Sequence, residues 1–96
     1  MKNGYKESVL DTEQGECYFC GLHTDTARHE IFYGVANRKK AKALGYWVNL
    51  CPECHRQVHA YPNDGIDRYL KQTAQMQYEL KSNRIQFIAE WGRSYL

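Results

Sequence analysis

Residues 17–59 read CYFCGLHTDTARHEIFYGVANRKKAKALGYWVNLCPECHRQVH, with one Cys-x-x-Cys pair at Cys17 and Cys20 and a second at Cys51 and Cys54. Such a pair presents two adjacent corners of a tetrahedron to one ion and lets backbone N–H groups approach the sulfurs. Two of these turns in a chain of 96 residues point to a structural Zn²⁺ held by Cys17, Cys20, Cys51 and Cys54. Four thiolates fill that shell, so an ion there is not a catalytic one. Residues 21–50 separate the pairs, more than the simplest zinc ribbons use, and an inserted element must project between the knuckles. A chain this short has room for one domain and one small core, and such cores commonly need a metal or a disulfide staple. The alternatives are ordinary buried cysteines and disulfides; the paired spacing and a reducing compartment favour the metal.

No apolar run is long enough to span a bilayer, and Met1–Leu10 lacks the apolar stretch and small-residue cleavage site of a secretory signal, so the sequence reads as a cytoplasmic protein without a membrane partner. The net charge of +2 excludes nothing, but its distribution is uneven. From Arg28 to Lys42, the basic residues Arg28, Arg38, Lys39, Lys40 and Lys42 stand against Glu30 alone. They form a candidate DNA-binding surface, the bland alternative being a solvated face. Tyr33, Tyr46 and Trp47 could stack on bases, although aromatics at strand positions more often serve a core.

Around the knuckles, residues 1–16 are polar and weakly patterned and read as a flexible or loosely packed arm. The β-branched and aromatic residues near Arg28–Tyr33 predict a strand. The segment Ala36–Leu44, stopped by Gly45, predicts a basic loop with a turn or two of helix. Tyr46–Leu50 predicts a second strand, and Pro52 a helix running to Ala60. Beyond Gly65, apolar spacing at Ile66, Tyr69, Leu70, Thr73 or Ala74, and Leu80 predicts one helix. A last one over Arg84–Trp91 would carry Ile85, Ile88 and Ala89 and end at Gly92. The expected architecture is thus a small zinc-stapled α+β domain over residues 17–96, with a strand-strand-helix core at about 28–60 and C-terminal helices at about 66–92. The C-terminal stretch most simply packs back on the domain, and an exposed face there would allow a homodimer.

His55 and His59 are i,i+4 on the helix that follows Cys54, so they share one face, and His29 lies on the strand at the far side of the insert. A solvated helix face is the alternative for the pair alone. Together with His29 it makes a compact cage for one cation.

With these residues in view, Cys17 to His59 resembles the HNH, or His-Me finger, nuclease family, and within it the small zinc-stapled members found in phages and prophages. The resemblance implies a ββα-metal motif that binds one divalent cation, Mg²⁺, Mn²⁺, Ni²⁺ or Zn²⁺, and cuts DNA phosphodiester bonds without strong sequence preference, in a bacterial host cytoplasm. His55 matches the family's helix metal ligand, and His59 a second ligand or phosphate contact. His29 and Glu30 fall on the pair before Ile31, in which the first residue binds metal and the second is the general base. The family has Asp-His or His-His there; this chain has histidine first and glutamate second. Glutamate near its ordinary pKa is a weak base toward water, so either Glu30 is an unusual base or His29 does that work. Successive strand side chains face opposite ways, so both reach one site only through a bulge. The family's middle asparagine has two imperfect matches, Asn37 and Asn49. The rival reading is a non-catalytic zinc module that binds DNA or protein and keeps the fold without the base. A redox switch using the cysteine pairs would need thiols that cycle without unfolding the domain.

Overall fold

The sequence places short strands on both sides of the basic segment and helices after the second knuckle, and a computed structural model describes residues 5–96 in that arrangement. Within them lie β1 (Ala27–Glu30), α1 (Val35–Leu44), β2 (Trp47–Leu50), α2 (Pro52–Ala60), α3 (Gly65–Glu79) and α4 (Arg84–Trp91). The protein is a small α+β fold with a two-stranded sheet and four helices among the described residues.

β1 and β2 pair antiparallel, with His29 opposite Val48 and Glu30 opposite Trp47, and no residue is inserted between them. The bulge that would let His29 and Glu30 reach one site together is therefore absent. β1 also ends earlier than the pattern predicts. Ile31 gives one more backbone bond, to the Tyr46 carbonyl at 3.0 Å, after which Ile31 and Phe32 are buried in the core. Burying two large apolar groups outweighs continuing a strand that has only one partner. The basic segment is a full helix, α1, where a turn or two was expected. It ends at Gly45, whose φ of 86° is left-handed backbone that a side chain disfavours.

α2 starts with Pro52 in its first turn and is capped by the Cys51 sulfur, which accepts from the Cys54 N–H. α4 ends on left-handed Gly92, as expected. The inward faces of the last two helices differ from the expected ones. Leu70 and Ala74 of α3 are buried, while Tyr69 and Leu80 are exposed. In α4 Phe87 and Trp91, one turn apart, face the core, and Ile85 and Ile88 do not. Phe32 decides this: its ring centroid lies 4.5 Å from Trp91 and 5.4 Å from Phe87, an aromatic cluster that aliphatic side chains would fill less well.

The flexible arm expected over residues 1–16 lies outside the described residues for 1–4. Beyond them, residues 6–12 form a strap pinned to β2 and the α1–β2 turn. Lys6 N–H donates to the Lys42 carbonyl at 2.9 Å and Val9 N–H to Gly45 at 2.8 Å. Ser8 Oγ donates to the Trp47 carbonyl, Trp47 Nε1 to the Lys6 carbonyl, and Asn49 N–H to Thr12 Oγ1. Polar side chains pair with the otherwise open edge of β2, and Val9 and Leu10 pack against the core, which is why a weakly patterned segment still packs. Among the described residues no helix is long and apolar enough to cross a membrane.

Candidate metal centres

The first knuckle is a tight turn in which Gly21 N–H donates to the Cys17 carbonyl at 2.9 Å; the second is the first turn of α2. They bring the sulfurs of Cys17, Cys20, Cys51 and Cys54 within 4.8 Å of one another. Cys20 and Cys51 stand 3.9 Å apart, Sγ to Sγ. Tetrahedral zinc with Zn–S bonds of about 2.3 Å needs sulfurs about 3.8 Å apart, whereas a disulfide needs about 2.05 Å. The four cysteines are free thiols placed close enough to hold a structural zinc. Their electrostatics agree. Burial works to raise the Cys17 thiol, but N–H groups from the two knuckles overcome it and bring it down to about 6. Burial, and then the sulfurs of Cys51, Cys17 and Cys20, push Cys54 well up. Bare sulfurs at this spacing resist full ionisation, and a divalent cation removes that conflict.

The second cluster is built by different elements. β1 supplies His29, and α2 supplies His55 and His59 from one face. Their nitrogens also lie within 4.8 Å of one another. The His29 ring centroid is 5.3 Å from that of His55, and those of His55 and His59 are 5.0 Å apart. His29 is 2 % exposed, and its Nε2 is buried without a hydrogen-bond partner. Burial, then the neighbouring imidazoles, push His29 down to about 3, and burial followed by His59 lowers His55. Imidazoles that stay neutral with an unsatisfied buried nitrogen are suited to accept a metal ion.

The cluster opens into a cleft of about 200 Å³ walled by Arg28, Glu30, Tyr33 and Arg38. Glu30 belongs to this wall and not to the histidine cluster. Its carboxylate accepts from the Tyr5 hydroxyl and faces Arg38 Nε at 3.6 Å. The five basic residues divide. Arg28 lies over both the Tyr5 and the Trp47 rings, at 4.6 and 4.9 Å from their centroids. Lys42 lies over the other approach to Tyr5, at 4.9 Å. Arg38 is at the cleft, and Lys39 is exposed. Lys40 is drawn away to α4, pairing with Glu90 at 3.3 Å and lying over Trp91. Neither asparagine lines the cleft: Asn37 donates to the Trp91 carbonyl, and Asn49 meets Thr12.

Two residues that shape the cleft were not placed there by the sequence: Tyr33 in its wall, and Tyr5 behind the Glu30 carboxylate. Tyr5 lies in the segment read as an arm. Tyr33 reads as a core aromatic, yet its ring stands 5.9 Å from His29 and 5.8 Å from His59. The Tyr33 hydroxyl donates to Asp67 Oδ2 at 2.9 Å. Asp67 is fully buried and pairs with Lys71 at 2.9 Å, while Lys71 also donates to Asn63 Oδ1 at 2.7 Å and lies over the Tyr33 ring. Asp67 and Lys71 are i,i+4 on α3, a pair that the sequence reading did not single out and whose burial depends on distant partners.

Comparison with protein-family models, curated proteins and solved structures gives no match.

Proposed function

We propose that the protein is a divalent-metal-dependent DNA endonuclease of the ββα-metal type, with a structural zinc at the four cysteines and a working cation at His29, His55 and His59. One observation carries the reading: three histidines from two elements converge, with a buried orphan nitrogen, in a cleft flanked by Arg28 and Arg38. A cation held there supplies Lewis acidity, drawing charge from a scissile phosphate and lowering the pKa of water in contact with it. Three imidazoles are borderline donors and suit Zn²⁺ or Ni²⁺ better than Mg²⁺ or Mn²⁺, which prefer oxygen.

The chain's own residues do the rest. His29, Arg28 and Arg38 bring nitrogen ligand and guanidinium groups to one cleft, so that a phosphate bound to the arginines meets the histidine cluster. Tyr33 closes the inner wall and limits water there. Arg28, Arg38, Lys39 and Lys42 hold backbone phosphates, which contact no base edge and give binding without strong sequence preference. DNA is the partner, and the bacterial cytoplasm of a phage-infected cell is where such an activity would operate.

Nicking of supercoiled plasmid by zinc-loaded protein tests the reading, with Mg²⁺, Mn²⁺ or Ni²⁺ added and with folded His55→Ala as control. Cleavage that needs a second cation and disappears in His55→Ala supports it. Metal analysis should give two ions per wild-type chain and one in the variant. The second reading, a non-catalytic DNA- or protein-binding module, is favoured by the occupation of Glu30 by Tyr5 and Arg38. DNA binding with no cleavage under any cation would establish it.

A further inference from the structure

Glu30 is the one carboxylate among the residues lining the histidine cleft, and a carboxylate beside a cation is the obvious group to take a proton from water. Its contacts give it different work. One oxygen accepts from the Tyr5 hydroxyl, and the other faces Arg38 Nε at 3.6 Å. The regular β1–β2 register, with no bulge, keeps it on the rim while His29 enters the cluster.

Both partners are themselves organised. Tyr5 stands edge-on to Trp47, with centroids 5.6 Å apart, and lies between Arg28 and Lys42. Trp47 in turn is tied back through Nε1 to the Lys6 carbonyl, next to Tyr5 in the chain. Arg38 is the exposed member, its side chain 58 % accessible against 15 % for Glu30. Arg38 approaches the carboxylate through Nε, and with a side chain this accessible its guanidinium keeps donors free for a phosphate.

We propose that Glu30 is a positioning residue: anchored by Tyr5, it fixes Arg38 at the mouth of the cleft so that the guanidinium meets a phosphate of bound DNA, and it takes no part in proton transfer. This rests on the endonuclease reading and assigns the strap a place in its substrate site. A long, exposed arginine loses side-chain freedom when it grips a phosphate, and holding one edge in advance reduces that loss. The departure from histidine at this position then makes chemical sense, because a glutamate can orient an arginine and a histidine cannot do so by charge.

The test uses the full zinc-loaded chain and the variants Glu30→Gln, Glu30→Ala, Arg38→Ala and the double Glu30→Ala/Arg38→Ala. Affinity for a short fluorescein-labelled duplex is read by anisotropy, without turnover, and nicking gives KM and kcat. Glu30→Ala and Arg38→Ala should each weaken binding and raise KM about fivefold, with kcat within about twofold of wild type. The double variant should bind no worse than Arg38→Ala, because the two residues act as one unit. Glu30→Gln keeps an oxygen for the Tyr5 hydroxyl but loses the charge that holds Arg38, so it should weaken binding and raise KM no more than Glu30→Ala does while kcat stays within about twofold, which also covers the case of an alanine variant that does not fold. A Glu30→Gln protein that binds DNA normally but loses kcat about a hundredfold would make Glu30 the base and overturn the proposal. Additive losses in the double variant would overturn it as well. A wild-type chain that binds no DNA would instead remove the endonuclease reading on which the proposal stands.

Discussion

His29 on β1 and His59 in the last turn of α2 meet with ring centroids 5.4 Å apart and planes at 83°. Twenty-nine residues of helix and strand lie between them, yet it is the first of these rings, not the helical pair, that is buried. The site is therefore anchored in the sheet and completed by the helix.

That burial gives a pH dependence. Desolvation first, then His55, His59, Lys71 and Arg38, hold His29 down to about 3, against about 6.5 in an unfolded chain. As pH falls below about 6.5 the unfolded chain takes up the proton and the folded one does not, so stability is fully present above that value and declines toward pH 3. With the cysteine cluster zinc-loaded and no second cation added, the urea midpoint should fall between pH 7 and pH 5, and His29→Gln should flatten that fall. Equal slopes for the two proteins would show that His29 does not cause it.

Lys71 and Asp67 form an ion pair with side chains 5 % and 0 % exposed. Lys71→Met leaves the carboxylate buried with only the Tyr33 hydroxyl and the Asn63 N–H, and should destabilise the protein by about 3 kcal/mol. Adding Asp67→Leu should recover part of the loss, because the uncompensated charge goes too. Chemical denaturation of the single and double variants decides it; a double variant worse than the sum of both singles would rule out charge burial as the cause.

Gly45 carries a φ of 86°, and a Cβ there would collide with the Glu7 carbonyl of the strap. Gly45→Ala should cost about 2 kcal/mol and free the strap. Hydrogen exchange reads this directly: the amides of Lys6 and Val9, which bond Lys42 and Gly45, should lose protection before those of α3. Unchanged protection at both amides would show that the strap is held elsewhere.

Lys42 faces Tyr5 while Lys40 is bound to α4. Lys42→Ala should reduce the slope of log Kd for duplex DNA against log salt by about 0.9, the share of one phosphate contact. Lys40→Ala should leave that slope alone and lower the melting temperature instead. A slope change in Lys40→Ala matching that of Lys42→Ala would mean that α1 presents its whole basic run to DNA.

The parts of this fold visible in the sequence are those with local signals. Pro52 and Gly92 punctuate their helices where expected, and the two Cys-x-x-Cys turns announce their cluster, because turn chemistry and ligand spacing depend on neighbours in the chain. The i,i+4 histidines were legible for the same reason, and His29 followed from its strand. What stayed hidden depends on partners far away. Residues 6–12 offer only the apolar pair Val9 and Leu10, which pack against the core, and the rest of their order comes from polar bonds to Trp47 and Asn49. Phe87 and Trp91 were chosen over Ile85 and Ile88 by the position of Phe32, and Tyr33 was drawn to the cleft by a buried Asp67 on another helix. The contact between Glu30 and Tyr5 needed both the strap and the sheet to be placed first.

Cys54 and His55 are consecutive residues of α2, so one sulfur ligand and one imidazole belong to neighbouring positions of a single helix. Their relative phase is set by the backbone, each residue turning the next by about 100°. One extra residue inserted between them would leave both knuckles intact and swing the histidine pair off His29 by more than a quarter turn. The lengths of the strap and of the α1 insert are open to drift, whereas this junction is a gear tooth that admits no change in count.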